Sequence, residues 1–274
     1  MNIDSEIIEN TPLSKELSVD HPLGRDEFLY DLIGINIIGL KSLGVLITRP
    51  KDYFKAALSP NWEGKYWPSM RMWFGLMTIM IGLQFIWASE SSEMTAMFRT
   101  LAGSLVDGAI AGAERNGETI DIGLFDKVEM GKNMFKSYIF IYPFFFVSFM
   151  CLLGFIFRGW DRKLPYIARV RYIFAIIVPG SIIGLITTFL MLPFKGTAYQ
   201  IASLVALVMV FLSYCVTAYR GAYAHSDRGT RIGMSLVIAL LIMMTLFIAQ
   251  IISMLLALIP VGSDMAELIR SQTQ

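Results

Sequence analysis

The chain has 274 residues, of which 55% are hydrophobic and only 16% are charged, and its mean hydropathy is +0.58. Soluble proteins carry about 25% charged residues, so this composition excludes disorder, argues against a water-soluble globule and predicts an integral membrane protein. Because 23 Lys and Arg residues oppose 22 Asp and Glu residues, no positive surplus remains for nucleic acid, and we expect no such partner.

Residues 1–27 are acidic and lack the apolar core and cleavage site of a signal peptide. We predict that they form a mostly disordered cytosolic arm. Residues 28–70 then form a predicted interfacial region. It opens with Phe28–Thr48, an apolar segment that contains Asp31 and Lys41. Central charges are costly inside a bilayer, so the segment favours an amphipathic interface helix, with a sixth span as the alternative.

Five stretches further along the chain contain no Asp, Glu, Lys or Arg: Met72–Ser89, Ser137–Phe157, Tyr172–Phe194, Gly196–Tyr219 and Ile232–Ser263. A helix of about 20 apolar residues crosses a bilayer, and all five stretches are long enough. The sequence therefore predicts an all-α, polytopic membrane helix bundle. Five transmembrane helices would lie within residues 71–263, with the N-terminal amphipathic interface helix added to them.

The last stretch exceeds the length of an upright span, which predicts tilt or extension beyond the membrane. Pro260 is expected to end it, leaving residues 264–274 as a short C-terminal tail. Of the 23 lysines and arginines, 16 fall on the side that holds the N-terminus and 7 on the other. The positive-inside rule then predicts a cytosolic N-terminus and a C-terminus on the far side of the membrane.

The far-side loop 90–136 is the sizeable connection between predicted spans. Ser91 or Ser92 can cap a first helix, and a second helix is predicted over Leu124–Lys136. We expect a helical hairpin resting on the outer surface of the bundle. A lid over a lateral cavity is the alternative.

Residues that carry chemistry are scarce. The two histidines, His21 and His225, lie in predicted loops, and the two cysteines, Cys151 and Cys215, lie in different spans. No metal-ligand spacing, phosphate-binding loop or hydrolase motif is present. The sequence predicts a protein that is not an enzyme and holds no metal or cofactor.

Prolines interrupt two of the spans, at Tyr142-Pro143 and at Val178-Pro179-Gly180. A proline inside a helix removes one backbone hydrogen bond and favours a kink. We interpret Pro143, Pro179 and Gly180 as kink positions that serve packing. Two kinks facing one cavity under loop 90–136 would instead suit a lipid-like solute.

The segment Ile47–Phe74 interleaves cations with tyrosine and tryptophan, as membrane-interface belts do. A second basic cluster precedes the third span. We predict that these cations dock lipid headgroups or a partner protein: Arg49, Lys51, Lys55, Lys65, Arg71, Arg158, Arg162, Lys163, Arg169 and Arg171. Anchoring without specific recognition is the simpler alternative.

The same segment carries a resemblance in Arg49-Pro50, Phe54 and Tyr66-x-Pro68-x-x-Arg71. It resembles the segment before the first span in a poorly characterised bacterial family of polytopic inner-membrane proteins, loosely grouped as Yip1-like. The basic loop Phe157–Arg171 is similar to that family's cytosolic linker, and the likeness covers about residues 45–260. The resemblance implies a bacterial inner-membrane protein, so that the predicted orientation puts the N-terminus in the cytoplasm and the C-terminus in the periplasm. It implies no established enzyme activity. For Yip1-like proteins it implies adaptor or membrane-organising roles.

These observations favour a non-enzymatic membrane adaptor or accessory subunit. Its expected partners are membrane lipids and either other membrane subunits or further copies of the chain. The alternative function is a transporter or channel for a hydrophobic or lipid-like solute. An intramembrane enzyme is the third hypothesis. It would require a cluster of ionisable side chains around one cavity.

Overall fold

The computed structural model describes residues 37–59, 62–87, 93–115, 125–157, 159–160 and 164–273. Regular structure in this part of the chain is helical. In chain order the α-helices are α1 (Ile37–Thr48), α2 (Pro50–Ala56), α3 (Ser69–Trp87), α4 (Glu93–Arg115), α5 (Lys127–Ile156), α6 (Tyr166–Met191), α7 (Gly196–Thr217) and α8 (Arg228–Thr273). A short 3-10 turn, Trp62–Gly64, follows α2, and a π-helical turn, Ala218–Ala222, extends α7. The predicted all-α fold class is confirmed.

Four helical segments in the described residues are long and apolar enough to cross a membrane: Lys127–Ile156, Tyr166–Met191, Gly196–Ala222 and Arg228–Ser263. They overlap the last four predicted spans, although the first of them begins ten residues before the predicted Ser137. The first predicted span forms α3, which has 19 residues and is about 28 Å long at the α-helical rise. That length is close to the roughly 30 Å of a hydrocarbon layer, and a fifth crossing by α3 stays a prediction.

Hydrogen bonds at the helix ends fix which termini lie together. Ser69 Oγ at the start of α3 donates to the Arg171 carbonyl near the start of α6, at 2.8 Å. At the other end, the Gly196 amide that starts α7 donates to Glu93 Oε1 at the start of α4, at 3.3 Å. We call the first the near end and the second the far end. α3 and α6 therefore run in the same direction, and α7 runs against them.

Helix α6 occupies the centre of the bundle. Every residue from Tyr172 to Gly180 is buried, because α3, α5 and α7 pack around it. Aromatic rings fill the space beside it: Trp73 of α3 stacks on Phe146 of α5 with centroids 4.3 Å apart, and Phe174 meets Trp73 edge-on. A helix that is apolar on all sides is expected at such a central position.

A second apolar cluster lies at the far end, where α4, the start of α5 and the last part of α8 meet. Val106, Met134 and Val261 are among its buried members. The predicted helical hairpin is thus present, but its second arm is no separate helix. It is the first part of α5, which has 30 residues and at about 45 Å is longer than the hydrocarbon layer.

The expectation that Pro260 ends the last helix is wrong. α8 has 46 residues and continues through Pro260 to Thr273. Proline removes only one intrahelical hydrogen bond, to the carbonyl four residues before it. Ala257, Val261 and Met265 around it are buried against the far-end cluster, and this packing holds the helix in place. At about 69 Å, α8 is longer than the hydrocarbon layer is thick, and tilt or extension beyond the membrane stays a prediction.

Helix α1 covers only the last part of the predicted interface helix, since residues 28–36 and the acidic arm 1–27 lie outside the described residues. The 12 described residues of α1 span about 18 Å, and the interface helix predicted over Phe28–Thr48, with a sixth span as its alternative, stays a prediction. Ser42 and Leu46 are buried and Leu40 is 54% exposed, so one face packs on the bundle. The Trp67 amide donates to Ser42 Oγ at 2.8 Å.

Candidate functional site: a basic platform at the near end

Helix α2 is a seven-residue amphipathic helix that begins at a proline. Pro50 occupies its first turn, where the missing amide hydrogen costs nothing. Tyr53 and Phe54 are buried, whereas Lys51 and Lys55 are exposed. The helix therefore lies flat on the bundle with its cations outward.

The buried face of α2 fits a gap in the bundle that a glycine provides. A Cβ atom at Gly221, in the π-helical turn after α7, would lie 2.4 Å from the Phe54 ring. The same ring meets Tyr172 of α6 edge-on, with centroids 4.9 Å apart. Tyr53 donates its hydroxyl to the Trp67 carbonyl at 2.6 Å. Burial raises the pKa of this hydroxyl far above its usual range, and the nearby Arg171 opposes that shift only partly.

Arg171 of α6 fixes the C-terminal end of α2. Its Nη1 donates to the Ala57 carbonyl at 2.9 Å and to the Ser59 carbonyl at 2.7 Å. Its guanidinium also lies over the Trp62 ring, 5.2 Å from the centroid. A cation at a helix C-terminus satisfies carbonyls that have no partner within the helix and complements the helix dipole. Arg171 therefore faces α2 and joins it to the central helix.

The five cations predicted around α2 are all exposed at this end of the molecule: Arg49, Lys51, Lys55, Lys65 and Arg71. Arg71 lies over the Trp67 ring, 4.3 Å from its centroid. We call these five side chains, with the segment from Arg49 to Arg71 that carries them, the basic platform. Tertiary packing on both sides of the segment holds the backbone of the platform to the bundle.

The second predicted cluster is divided. Arg158, Arg162 and Lys163 lie outside the described residues. Arg169 is half-buried, and its Nε donates to the Leu164 carbonyl at 3.1 Å. Arg169 and Arg171 thus both direct hydrogen bonds to backbone carbonyls, and the sequence pattern alone did not separate them from the exposed cations.

The predicted kink positions lie inside continuous helices. Pro143 is within α5 and Pro179 is within α6. Pro179 lines a lateral groove of about 430 Å³ between α6 and α7, and Pro143 is absent from its lining. Arg220 closes the near end of this groove. In the sequence, Arg220 contributes only to the count of cations on each side of the membrane. Its position directly after an apolar span was the signal that could have identified it as a candidate site residue.

A second apolar groove, of about 320 Å³, lies at the far end. Met97 and Leu101 of α4 form one wall, and Phe247, Gln250 and Ile251 of α8 belong to the other. α4 thus borders a lateral groove, as the lid alternative requires. Neither Pro143 nor Pro179 lines it, so the two predicted kinks do not meet in either groove.

The described residues contain no cluster of three or more His, Cys, Asp or Glu side chains that could hold a metal ion. Cys151 and Cys215 are free, half-buried thiols on different helices. His225 is exposed after the π-helical turn.

The fold and the near end together define an all-α membrane helix bundle with a basic, aromatic platform fixed to one end. Comparison with known proteins finds no family, no curated protein and no solved structure that matches the chain. The Yip1-like resemblance therefore stays a prediction.

Proposed function

We propose that the protein is a non-enzymatic adaptor or accessory subunit of a bacterial inner-membrane complex, and that its basic platform docks the partner at an anionic surface. The observation that carries the proposal is the attachment of α2. Arg171 and Phe54 hold the helix against α6 and the π-helical turn, while Lys51 and Lys55 face outward. A surface fixed before binding loses less conformational entropy on association than a flexible one.

Charge and position support the same proposal. Cations near an anionic membrane surface contribute about 1 kcal/mol each, and five of them are exposed along this one segment. The positive-inside count predicts that this end lies in the cytoplasm and the C-terminus in the periplasm. A reporter enzyme that works only in the periplasm should be active when it is fused after Gln274. Activity of a reporter that works only in the cytoplasm would contradict the orientation.

The test of the adaptor function is purification of the full chain from its native membrane in mild detergent, followed by quantitative mass spectrometry. We expect a stoichiometric partner with the wild-type chain and its loss with Lys51→Glu. Lys195→Glu is the matched control. Both lysines are exposed near the start of a helix, where a carboxylate suits the helix dipole, but Lys195 lies at the far end.

Recovery of the wild-type chain as a lone monomer would overturn the adaptor function. Equal loss of the partner in Lys51→Glu and Lys195→Glu would show that the platform is not the docking surface.

Transport of a lipid-like solute is the second candidate function, favoured by the lateral groove that Pro179 lines. It is tested in proteoliposomes with a fluorescent phospholipid whose inner-leaflet fraction is protected from dithionite. Transport predicts faster loss of protection with the protein present. A rate equal to that of protein-free vesicles would contradict it.

A further inference from the structure

The lateral groove between α6 and α7 has the dimensions of one leaflet. Along α7 it extends from Met209 to Arg220, which is about 16 Å at the helical rise. Half of a hydrocarbon layer is about 15 Å thick. A groove of this length that starts where the apolar part of α7 ends has the reach of one leaflet.

The walls of this groove suit an acyl chain. On α6 they are formed by Pro179, Ile182 and Ile183, and on α7 by residues such as Met209 and Leu212. These side chains present methyl and methylene groups along the whole length. A hydrocarbon chain that lies between them makes dispersion contacts with two helices. A lipid outside the groove would contact only one helix at a time.

The near end of the groove is polar and cationic. Thr217 belongs to its lining, and Arg220 lies at its mouth, whereas Ser213 lies further along α7 in the apolar part. Arg220 is exposed. Its Nη2 donates to the Thr48 carbonyl at 2.8 Å, and its Nη1 donates to the Ile47 carbonyl at 3.3 Å. These bonds aim the guanidinium across the groove mouth.

Arg220 forms no ion pair with another described residue, unlike Lys127, which pairs with Asp107, and Lys132, which pairs with Glu129. The two carbonyls use two of the five guanidinium hydrogens, so donors remain. A phosphodiester supplies the missing anion with the geometry that guanidinium prefers. In a bilayer, the phosphates lie at the level where the apolar part of α7 ends.

We propose that this groove binds one glycerophospholipid from the near-end leaflet, with its phosphodiester on Arg220 and one acyl chain between α6 and α7. The lipid is a bound component of the fold that joins α1, α6 and α7 at the membrane surface. This inference is independent of the adaptor function, because the basic platform takes no part in it.

The test is native mass spectrometry of the full chain in delipidating detergent, titrated with dioleoyl phosphatidylglycerol. We expect a discrete state with one lipid per chain. Dioleoylglycerol, which lacks the phosphate, should bind at least about tenfold more weakly, because a charge-assisted hydrogen bond is lost. Inorganic phosphate alone should not displace the lipid, since it makes none of the acyl contacts.

Three variants separate the two halves of the site. Arg220→Gln keeps hydrogen-bond donors for the α1 carbonyls but removes the charge, and Ser213→Phe fills the groove without touching Arg220. Each should lower the affinity at least about tenfold. The matched control is Leu204→Phe, on the same helix at a side chain that is 62% exposed and outside the groove lining; it should bind as the wild type does.

Because Arg220→Gln could also loosen α1, Ser213→Phe provides the readout that does not depend on that contact. Three results would overturn the proposal: equal affinity for phosphatidylglycerol and dioleoylglycerol, unchanged affinity in both groove variants, or complete displacement by inorganic phosphate. A broad distribution of lipid numbers without a one-lipid state would also overturn it.

Discussion

The two glycines of α6 offer a sharp test of how the helices pack. Gly180 and Gly184 are four residues apart, the spacing typical of close helix contacts in membranes. The structure distinguishes them. A Cβ atom at Gly180 would lie 2.3 Å from Cε1 of Tyr214, whereas a Cβ atom at Gly184 would have no neighbour within 4 Å.

Gly180→Ala therefore forces two buried groups apart. Carbon atoms in contact lie about 3.5–4.0 Å apart, so the Tyr214 ring must retreat by more than about 1 Å. Tyr214 is only 3% exposed, and overpacking of this kind costs about 1–3 kcal/mol. Alanine recovers up to about 1 kcal/mol through its higher helix propensity. Because the ring must move by more than about 1 Å, we take the upper part of the overpacking range, about 2–3 kcal/mol, which leaves an expected net loss of about 1–2 kcal/mol.

The measurement is the fraction of monodisperse protein recovered by gel filtration after heating in detergent. A loss of 1 kcal/mol lowers the midpoint of a chain of this size by about 2–4 °C, so Gly180→Ala should lower it by about 2–8 °C. Gly184→Ala is the matched control and should leave the midpoint unchanged or raise it. Equal midpoints for the two variants would refute the packing assigned to Tyr214.

Three further predictions concern helix ends. Arg171→Leu removes two charge-assisted hydrogen bonds from the end of α2, and trypsin should then cleave after Lys55 at least about tenfold faster. Asp126 caps α5 by accepting the Val128 and Glu129 amides, and Asp126→Ala should cost about 1 kcal/mol, measured by the same heating assay. Hydrogen bonds from Thr230 lower the pKa of Asp227. Its contribution to stability is therefore present above about pH 4 and is lost as pH falls further.

Each of these predictions has a contrasting variant. Arg71→Leu removes an exposed cation of the same platform and should leave cleavage after Lys55 unchanged. Asp126→Asn keeps a good capping side chain and should cost less than alanine. Asp227→Asn caps α8 without titrating, so the wild type should lose more stability than this variant between pH 6 and pH 3. Parallel acid profiles would contradict the role given to Asp227.

Only part of the candidate site could be predicted from the sequence. Alternation of cations and aromatic residues marked Ile47–Phe74 as an interface segment, and the exposed platform lies there. The same criterion could not separate Lys55 from Arg171, because both are cations beside apolar residues. Arg171 comes within reach of the Ala57 carbonyl only when α2 folds back on α6, a contact between residues 114 positions apart in the chain.

The sequence by itself determined the membrane class and the helical spans. Charge is excluded from long stretches because a charged side chain costs free energy in hydrocarbon, and this constraint acts on each helix separately. Continuity of α8 through Pro260, the different surroundings of Gly180 and Gly184, and the groove that ends at Arg220 were decided by tertiary structure. Each depends on which neighbour packs against a given face, and that neighbour comes from a distant part of the chain.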